Sequence, residues 1–418
     1  MMNFRHVTAV AVAVSGLIAG SSGTAATITG WNTGNVVVGA TPDDGETGRS
    51  VIYDKPVTAG VPAPGAVTNG QIAFTPPEAV SPGIKVEDQT YTQGGTDGLT
   101  LSGCLMTSNT PNPCTGPFQS GKRIKQEMTG LDPVDLVFDV ANGDETSAYQ
   151  VFHRLINDTG VALSGFAIEL GFGLGDNFVR AGDDSGVSFS SAFRAQPTGS
   201  GPASTQFPFG LFGDASDNDN FDLDGFFANA RTGFNTAFSA VEIASDGIFG
   251  PYTDFFDNWL PGQSVPAGVF WDNDNDAGTD ALVMAWERPD GTWEIRREIV
   301  SLGDDDTDGT AAALLDPVER DSFEAVVDWF EDQEGGADLA AVLLPGEIED
   351  LANLNVNFAI QLAGNLFDAA GDALDSFTLR TTVFAAPIAA IPLPAGAPLL
   401  LGGLGMLWAL RRRRQKAA

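Results

Sequence analysis

Histidine is nearly absent from this chain: only His6 and His153 occur in 418 residues. His6 lies in an N-terminal stretch with the form of a leader, which leaves a mature body with His153 alone, mid-strand in YQVFHRLIN (149–157). Ser-His-Asp chemistry would have to run through that one residue, which reads as a sheet-face side chain beside Arg154 rather than a general base. Cysteine is equally scarce, with two residues, no second CxxC and no neighbouring histidine, so a zinc site is disfavoured. Basic residues are few, 21 against 55 acidic, for a formal charge of −34. Six of the 21 sit at the two ends (Arg5, four consecutive arginines and Lys416), leaving 15 in the body and a formal charge there of −40. Such a body repels nucleic acid and anionic lipid, and favours cations or a screening medium.

A long uninterrupted apolar run is also missing. The C-terminal stretch with neither proline nor charge is residues 399–410, about 18 Å as a helix. A hydrocarbon core is about 30 Å thick. Residues 391–398 add length, but Pro392, Pro394 and Pro398 interrupt the helix start, so the segment spans only marginally. The block Arg411, Arg412, Arg413 and Arg414 would hold the C-terminus on the cytoplasmic side, placing the rest outside. The other end agrees: Arg5 precedes an apolar stretch (7–20) and a small-residue stretch (21–26), the order of a secretory signal peptide with cleavage expected after Ala25 or Ala26. The expected organisation is a signal peptide (1–26), a body (27–386) and a tail (387–418). The tail comprises a motif (391–395), an apolar segment (396–410) and a basic block (411–416).

What is present suits an exported, mostly β protein. Hydrophobic residues make up 43%, with 28 Phe and 7 Trp, enough for a sizeable core, and 50 Gly and 24 Pro supply turns. The expected fold is a large antiparallel β-sandwich with long acidic loops, one or a few short helices and a C-terminal transmembrane helix. In an oxidising compartment Cys104 and Cys114, ten apart in a Pro/Asn-rich stretch, read as a local disulfide. Residues 147–157 and 161–173, joined by the compact turn 158–160, suggest a hairpin. A second is expected where ALVMAWE (281–287) and TWEIRREIVSL (292–302) flank RPDG. A helix is expected over 316–336, with Asp316 as N-cap, Pro317 at its first position and Glu319 completing a capping box. Its apolar face would carry Phe323, Val326, Val327 and Phe330.

The motifs GWNTGNVVVG (30–39), GQIAFTPPEAVSPG (70–83), FQSGKRIKQEMT (118–129) and DLVFDV (135–140) resemble the exported bacterial proteins called the choice-of-anchor F family. Ile391, Pro392, Leu393, Pro394 and Ala395, followed by the apolar run and RRRR, resemble the VPLPA-type variant of PEP-CTERM sorting tails, with Ile391 where that pattern has Val. The resemblance implies surface display. It also implies cutting near the pentapeptide by an exosortase-type membrane transpeptidase, with the cytoplasmic membrane as a transient or permanent partner.

Few constellations could carry chemistry. GPFQSGKR (116–123) nearly spells a phosphate loop, but Arg123 replaces the Mg²⁺-binding Ser/Thr, so that reading is rejected. The acidic loops are the sharper lead. DDDTDG (304–309) sets Asp304, Asp306 and Asp308 at alternate positions before a glycine, as a Ca²⁺ loop does. DNDNDAGTD (272–280) offers Asp272, Asp274, Asp276 and Asp280, and NFDLDG (220–225) is a weaker version. Without Glu at position 12 or flanking helices these are not EF-hands, and solvated acidic turns are the competing reading. If both strong loops lie at the end of the second hairpin opposite RPDG, their carboxylates repel unless Ca²⁺ bridges them. Three functions compete. The first is a non-catalytic surface or matrix protein, not an enzyme. The second is a module binding extracellular polysaccharide through Trp271, Trp286 and Trp293, although core packing is their commoner role. The third is a two-carboxylate hydrolase, for which no residue pair stands out.

Overall fold

The period-two stretches become strands because each has an apolar face to bury. In residues 354–362, Leu354, Val356, Phe358, Ile360 and Leu362 enter the main core, while Asn355 and Gln361 remain half-buried on the other face. The computed structural model describes residues 24–92, 100–109, 111–115, 120–190, 233–249, 259–271, 282–288, 290–302, 309–311, 315–333, 339–340, 342–348 and 351–386. In chain order the strands are β1 (Thr27–Asn32), β2 (Val36–Val37), β3 (Gly48–Ile52), β4 (Val57–Thr58), β5 (Val61–Pro62), β6 (Gly70–Phe74), β7 (Ile84–Thr92), β8 (Thr100–Thr107) and β9 (Ile124–Met128). Then come β10 (Val134–Ala141), β11 (Ser147–Asn157), β12 (Leu163–Phe172), β13 (Val179–Arg180), β14 (Val187–Phe189), β15 (Gly233–Phe238), β16 (Glu242–Phe249), β17 (Ala267–Trp271) and β18 (Leu282–Glu287). The last are β19 (Trp293–Ile295), β20 (Ile299–Leu302), β21 (Gly309–Ala311), β22 (Val318–Arg320), helix α1 (Phe323–Gln333), β23 (Leu343–Glu347), β24 (Asn353–Leu362), β25 (Leu366–Phe367), β26 (Ala373–Leu374) and β27 (Ser376–Ala385).

Among the described residues two large sheets share one core. A seven-stranded sheet runs β1-β10-β27-β12-β16-β15, with β13 on β12. A nine-stranded sheet runs β14-β24-β11-β9-β6-β3-β2, with the β7–β8 pair attached to β11. Phe138, Phe166 and Phe377 from the first sheet and Tyr149, Leu155 and Phe358 from the second are buried in the same cluster. Phe138 and Phe377 stack at 5.5 Å, and each such ring contributes about 1.5–3 kcal/mol by burial.

Strand β11 is hemmed in on both edges. One edge pairs with β24 from Ser147↔Leu362 to Ile156↔Asn353. The other takes β8 (Tyr149↔Gly103) and β9 (His153↔Ile124) end to end, both parallel, so the sheet is not wholly antiparallel. Between β8 and β9 the chain makes an excursion that the Cys104–Cys114 disulfide staples, with Cα atoms 5.8 Å apart. Cys104, Met106, Cys114 and Phe152 form a small apolar cluster there. Lys122 donates to Cys114 O and lies 5.6 Å from the Phe152 ring centre, and burial lowers its pKa. The residues IKQEM are strand β9, not the helix that a phosphate loop needs.

The first expected hairpin does not form, although both of its strands do: β11 and β12 belong to different sheets. Both edges of β11 are occupied, so the chain crosses the core instead of folding back. Buried Asn157 holds the crossing. Its Nδ2 donates to Val161 O (2.9 Å) and Trp259 O (3.0 Å), and its Oδ1 accepts from Thr159 N (3.1 Å) and Oγ1 (2.8 Å).

The second hairpin forms, with Ala285↔Ile295 and Glu287↔Trp293 in register and Gly291 at φ +84° in its turn. It belongs to a five-stranded sheet, β22-β19-β18-β17-β23. Its second strand stops at Ile295, and β20 pairs with β21 in a separate ribbon. Residues 272–281 therefore join β17 to β18, whereas 303–308 join β20 to β21, so the two acidic segments do not close one hairpin. Helix α1 packs Val326, Val327 and Phe330 on Trp271, Met284 and Ile295, as its spacing predicts. It starts later than predicted: residues 318–320 are drawn into β22 along β19, and Ser322 Oγ accepts from Ala325 N (3.2 Å) in place of the Asp316 cap. Trp271, Trp286 and Trp293 are buried and unavailable for stacking on a glycan.

The fold takes in Thr24, Ala25 and Ala26, on the leader side of the expected boundary at Ala26. Thr24 O accepts from Asp144 N and Glu145 N, and buried Ala26 donates to Glu145 O.

Candidate functional site

His153 is sealed rather than poised. It has no exposed surface, packs edge-on against Phe358, and lies 3.0 Å from Gln126 Oε1 through Nε2. Burial pushes its pKa down to about 3, so it is neutral near pH 7.

Among the described residues a concave surface lies elsewhere, where three loops meet at one end of the two sheets. The first loop, residues 173–186, leaves β12. A guanidinium anchors its start: Arg380 makes a bidentate pair with Asp135 (2.7 and 2.7 Å), donates to Gly175 O (2.8 Å), and covers the Phe178 ring at 3.9 Å. Asp135 Oδ2 also accepts from Gly175 N (2.8 Å), and Thr378 Oγ1 donates to Gly173 O. Further along, Arg180 is drawn off by Glu169 (3.1 Å) and Glu242 (2.5 Å).

The second loop is the ribbon β25–β26. Asp368 Oδ1 accepts from Ala370 N and Asp372 N, both 2.9 Å, and so spends one oxygen on its own turn. The third is the corner at Asn142 to Asp144. Asn142 Oδ1 accepts from Leu366 N and its Nδ2 donates to Leu374 O, tying corner to ribbon. The ribbon is tied to the first loop by Phe367 N to Ser185 O and Ala363 N to Gly186 O. Two glycines permit the approach: a Cβ on Gly186 (φ +82°) would lie 2.2 Å from Asn365 O, and one on Gly143 would lie 2.2 Å from Thr24 O.

The result is a two-chambered cleft. One chamber, about 420 Å³, is lined by Asp144, Ser188 and Asn365, and the other, about 640 Å³, by Phe172, Asn177 and Leu374. Asp183, Asp184 and Phe367 line both. Phe367 is 37% exposed, high for an aromatic side chain. Asp144, Asp183 and Asp184 are exposed, and among the described residues their carboxylates have no hydrogen-bond or ion-pair partner. The cleft thus offers acceptors in a negative field beside an open aromatic face.

Of the residues singled out from sequence, the structure brings together Cys104 and Cys114. Asp272, Asp274, Asp276, Asp280, Asp304, Asp306 and Asp308 lie outside the described residues, as do the third acidic loop, Ile391 to Ala395 and Arg411 to Arg414. Among the described residues no group of three or more His, Cys, Asp or Glu side chains is arranged to hold a metal. No helix among them is long and apolar enough to cross a membrane. The cleft residues escaped the sequence reading. AGDDSG (181–186) has adjacent rather than alternating carboxylates, and its partner segments lie about 40 residues earlier and 180 later. Comparison of the chain with protein-family models, curated proteins and solved structures gives no match.

Proposed function

We propose that the chain is a non-catalytic exported protein of the cell surface or extracellular matrix, with a β-sandwich body displayed through its sorting tail. The observation that carries this reading is the Cys104–Cys114 disulfide, a bond that persists in an oxidising compartment. The resemblance of the tail to PEP-CTERM signals supports it, with an exosortase-type transpeptidase as the processing partner near Ile391 to Ala395. Sealed His153 leaves no exposed imidazole for Ser-His-Asp chemistry. The acidic segments 272–280 and 304–309 are assigned to Ca²⁺, which would offset the charge of the body.

The test is intact-mass analysis of protein extracted from the surface of producing cells, without reductant. The expected mass lacks the leader and carries two hydrogens fewer than the dithiol. Recovery of a reduced, full-length chain from the cytoplasm alone would refute export. For Ca²⁺, the melting temperature of the purified mature chain is expected to rise between chelator and millimolar Ca²⁺, and an unchanged value removes that assignment.

A further inference from the structure

We propose that the cleft around Asp183, Asp184 and Phe367 binds a saccharide chain that carries no negative charge. The inference rests on the exported reading only for where such a ligand is met; the geometry stands by itself. Both chambers fall within the volume range of small-molecule sites. They share Asp183, Asp184 and Phe367 as wall residues, so a ligand in either chamber meets the same three side chains.

The wall chemistry selects the class. Sugar hydroxyls are donors in closely spaced pairs, and Asp183 and Asp184 present adjacent acceptor groups with no protein partner to displace. A pyranose ring also has an apolar C–H face, which the exposed face of Phe367 accommodates, with Phe172 and Leu374 continuing that apolar surface. Uronates, sulfated glycans and phosphates are disfavoured by three exposed carboxylates, because the nearby cation Arg180 is engaged by Glu169 and Glu242. A bare divalent ion is disfavoured by the lack, among the described residues, of any grouping able to ligate one. The loops are cross-tied by Phe367 N–Ser185 O, Ala363 N–Gly186 O and the two Asn142 contacts, so little ordering is needed on binding.

Isothermal titration of the mature chain with glucan, mannan, galactan and chitosan tetramers, and with a polyuronate tetramer, tests this. Saturable binding is expected for at least one of the first four and not for the uronate. Tighter binding of the chitosan tetramer would assign the carboxylates a charge role, and equal binding a hydrogen-bonding role; both support the site. Phe367→Leu, which keeps apolar bulk without the ring, is expected to weaken binding about fivefold to tenfold. Asp183→Ala with Asp184→Ala removes the acceptors at two exposed positions, and is expected to weaken binding at least as much. The proposal is overturned if none of the four uncharged or amine-bearing tetramers binds at millimolar concentration, if the uronate binds equally well, or if both variants bind like the parent. A failed titration leaves export untouched, and a cytoplasmic location leaves the titration untouched.

Discussion

Replacing Asp135 by alanine probes the anchor of the cleft loop most directly. Asp135 and Arg380 keep only 2% and 13% of their side-chain surface exposed, so water stabilises neither charge once its partner is gone. Asp135→Ala leaves the guanidinium over Phe178 without a counter-charge and removes the acceptor of Gly175 N–H. Breaking a buried pair from one side costs about 3–5 kcal/mol. Urea unfolding of the protein, followed by tryptophan fluorescence, should show that loss. Asp135→Asn, which retains an acceptor for Gly175, should lose less. An Asp135→Leu/Arg380→Met double variant should cost well under the sum of its single changes, because no charge is stranded. The effect should persist in 1 M NaCl, where the Debye length falls to about 3 Å. The exposed Lys125–Glu78 pair, 28% and 45% exposed, should by contrast be worth under about 1 kcal/mol and vanish with salt. A loss below about 1 kcal/mol for Asp135→Ala, or strict additivity in the double variant, would refute the anchor.

Three further outcomes are expected. Cys104→Ala with Cys114→Ala should cost about 2 to 3 kcal/mol, and a reductant should lower the melting temperature of the parent but not of that variant. His153 has a folded pKa of about 3, below the ordinary 6.5, so the unfolded chain binds the extra proton. Its contribution is level above pH 6.5 and falls by up to about 1.4 kcal/mol per pH unit from there towards pH 3. His153→Gln should show a correspondingly shallower loss, and equal slopes for the two proteins would sink that assignment. Asn157→Ala removes four hydrogen bonds at the crossing between the sheets and should cost about 2–4 kcal/mol in the same urea assay. A loss under about 0.5 kcal/mol would show that the crossing holds without them.

Element type was easier to read from the chain than element partnership. Residues 147–157 and 163–172 alternate as strands should, and Asp158 to Gly160 has turn composition, yet nothing local reveals whether a turn folds back or crosses. That choice is made by β8, β9 and β24, which occupy both edges of β11, the last of them pairing Ser147 with Leu362. The helix start failed for a related reason. Asp316 and Glu319 carry a sound capping pattern, but the open edge of β19 captures residues 318–320 first. The face of α1 was legible because its i, i+3, i+4, i+7 spacing is a property of the helix alone. The disulfide was legible because its ends lie only ten positions apart in turn-rich chain. The cleft was not, since its three segments share no motif and meet only through hydrogen bonds between distant loops.

The position of β27 sets when this protein can become itself. It is the last described strand, yet it sits inside its sheet, with Val134–Asp139 of β10 on one side and Leu163–Gly171 of β12 on the other. A chain delivered N-terminus first therefore waits, with two facing strand edges open, until residues 376–385 arrive. A product truncated anywhere before them lacks the middle of the sheet rather than its rim, and exposes the kind of unpaired edge that aggregates or is degraded. Completeness of the chain is thus checked by folding itself.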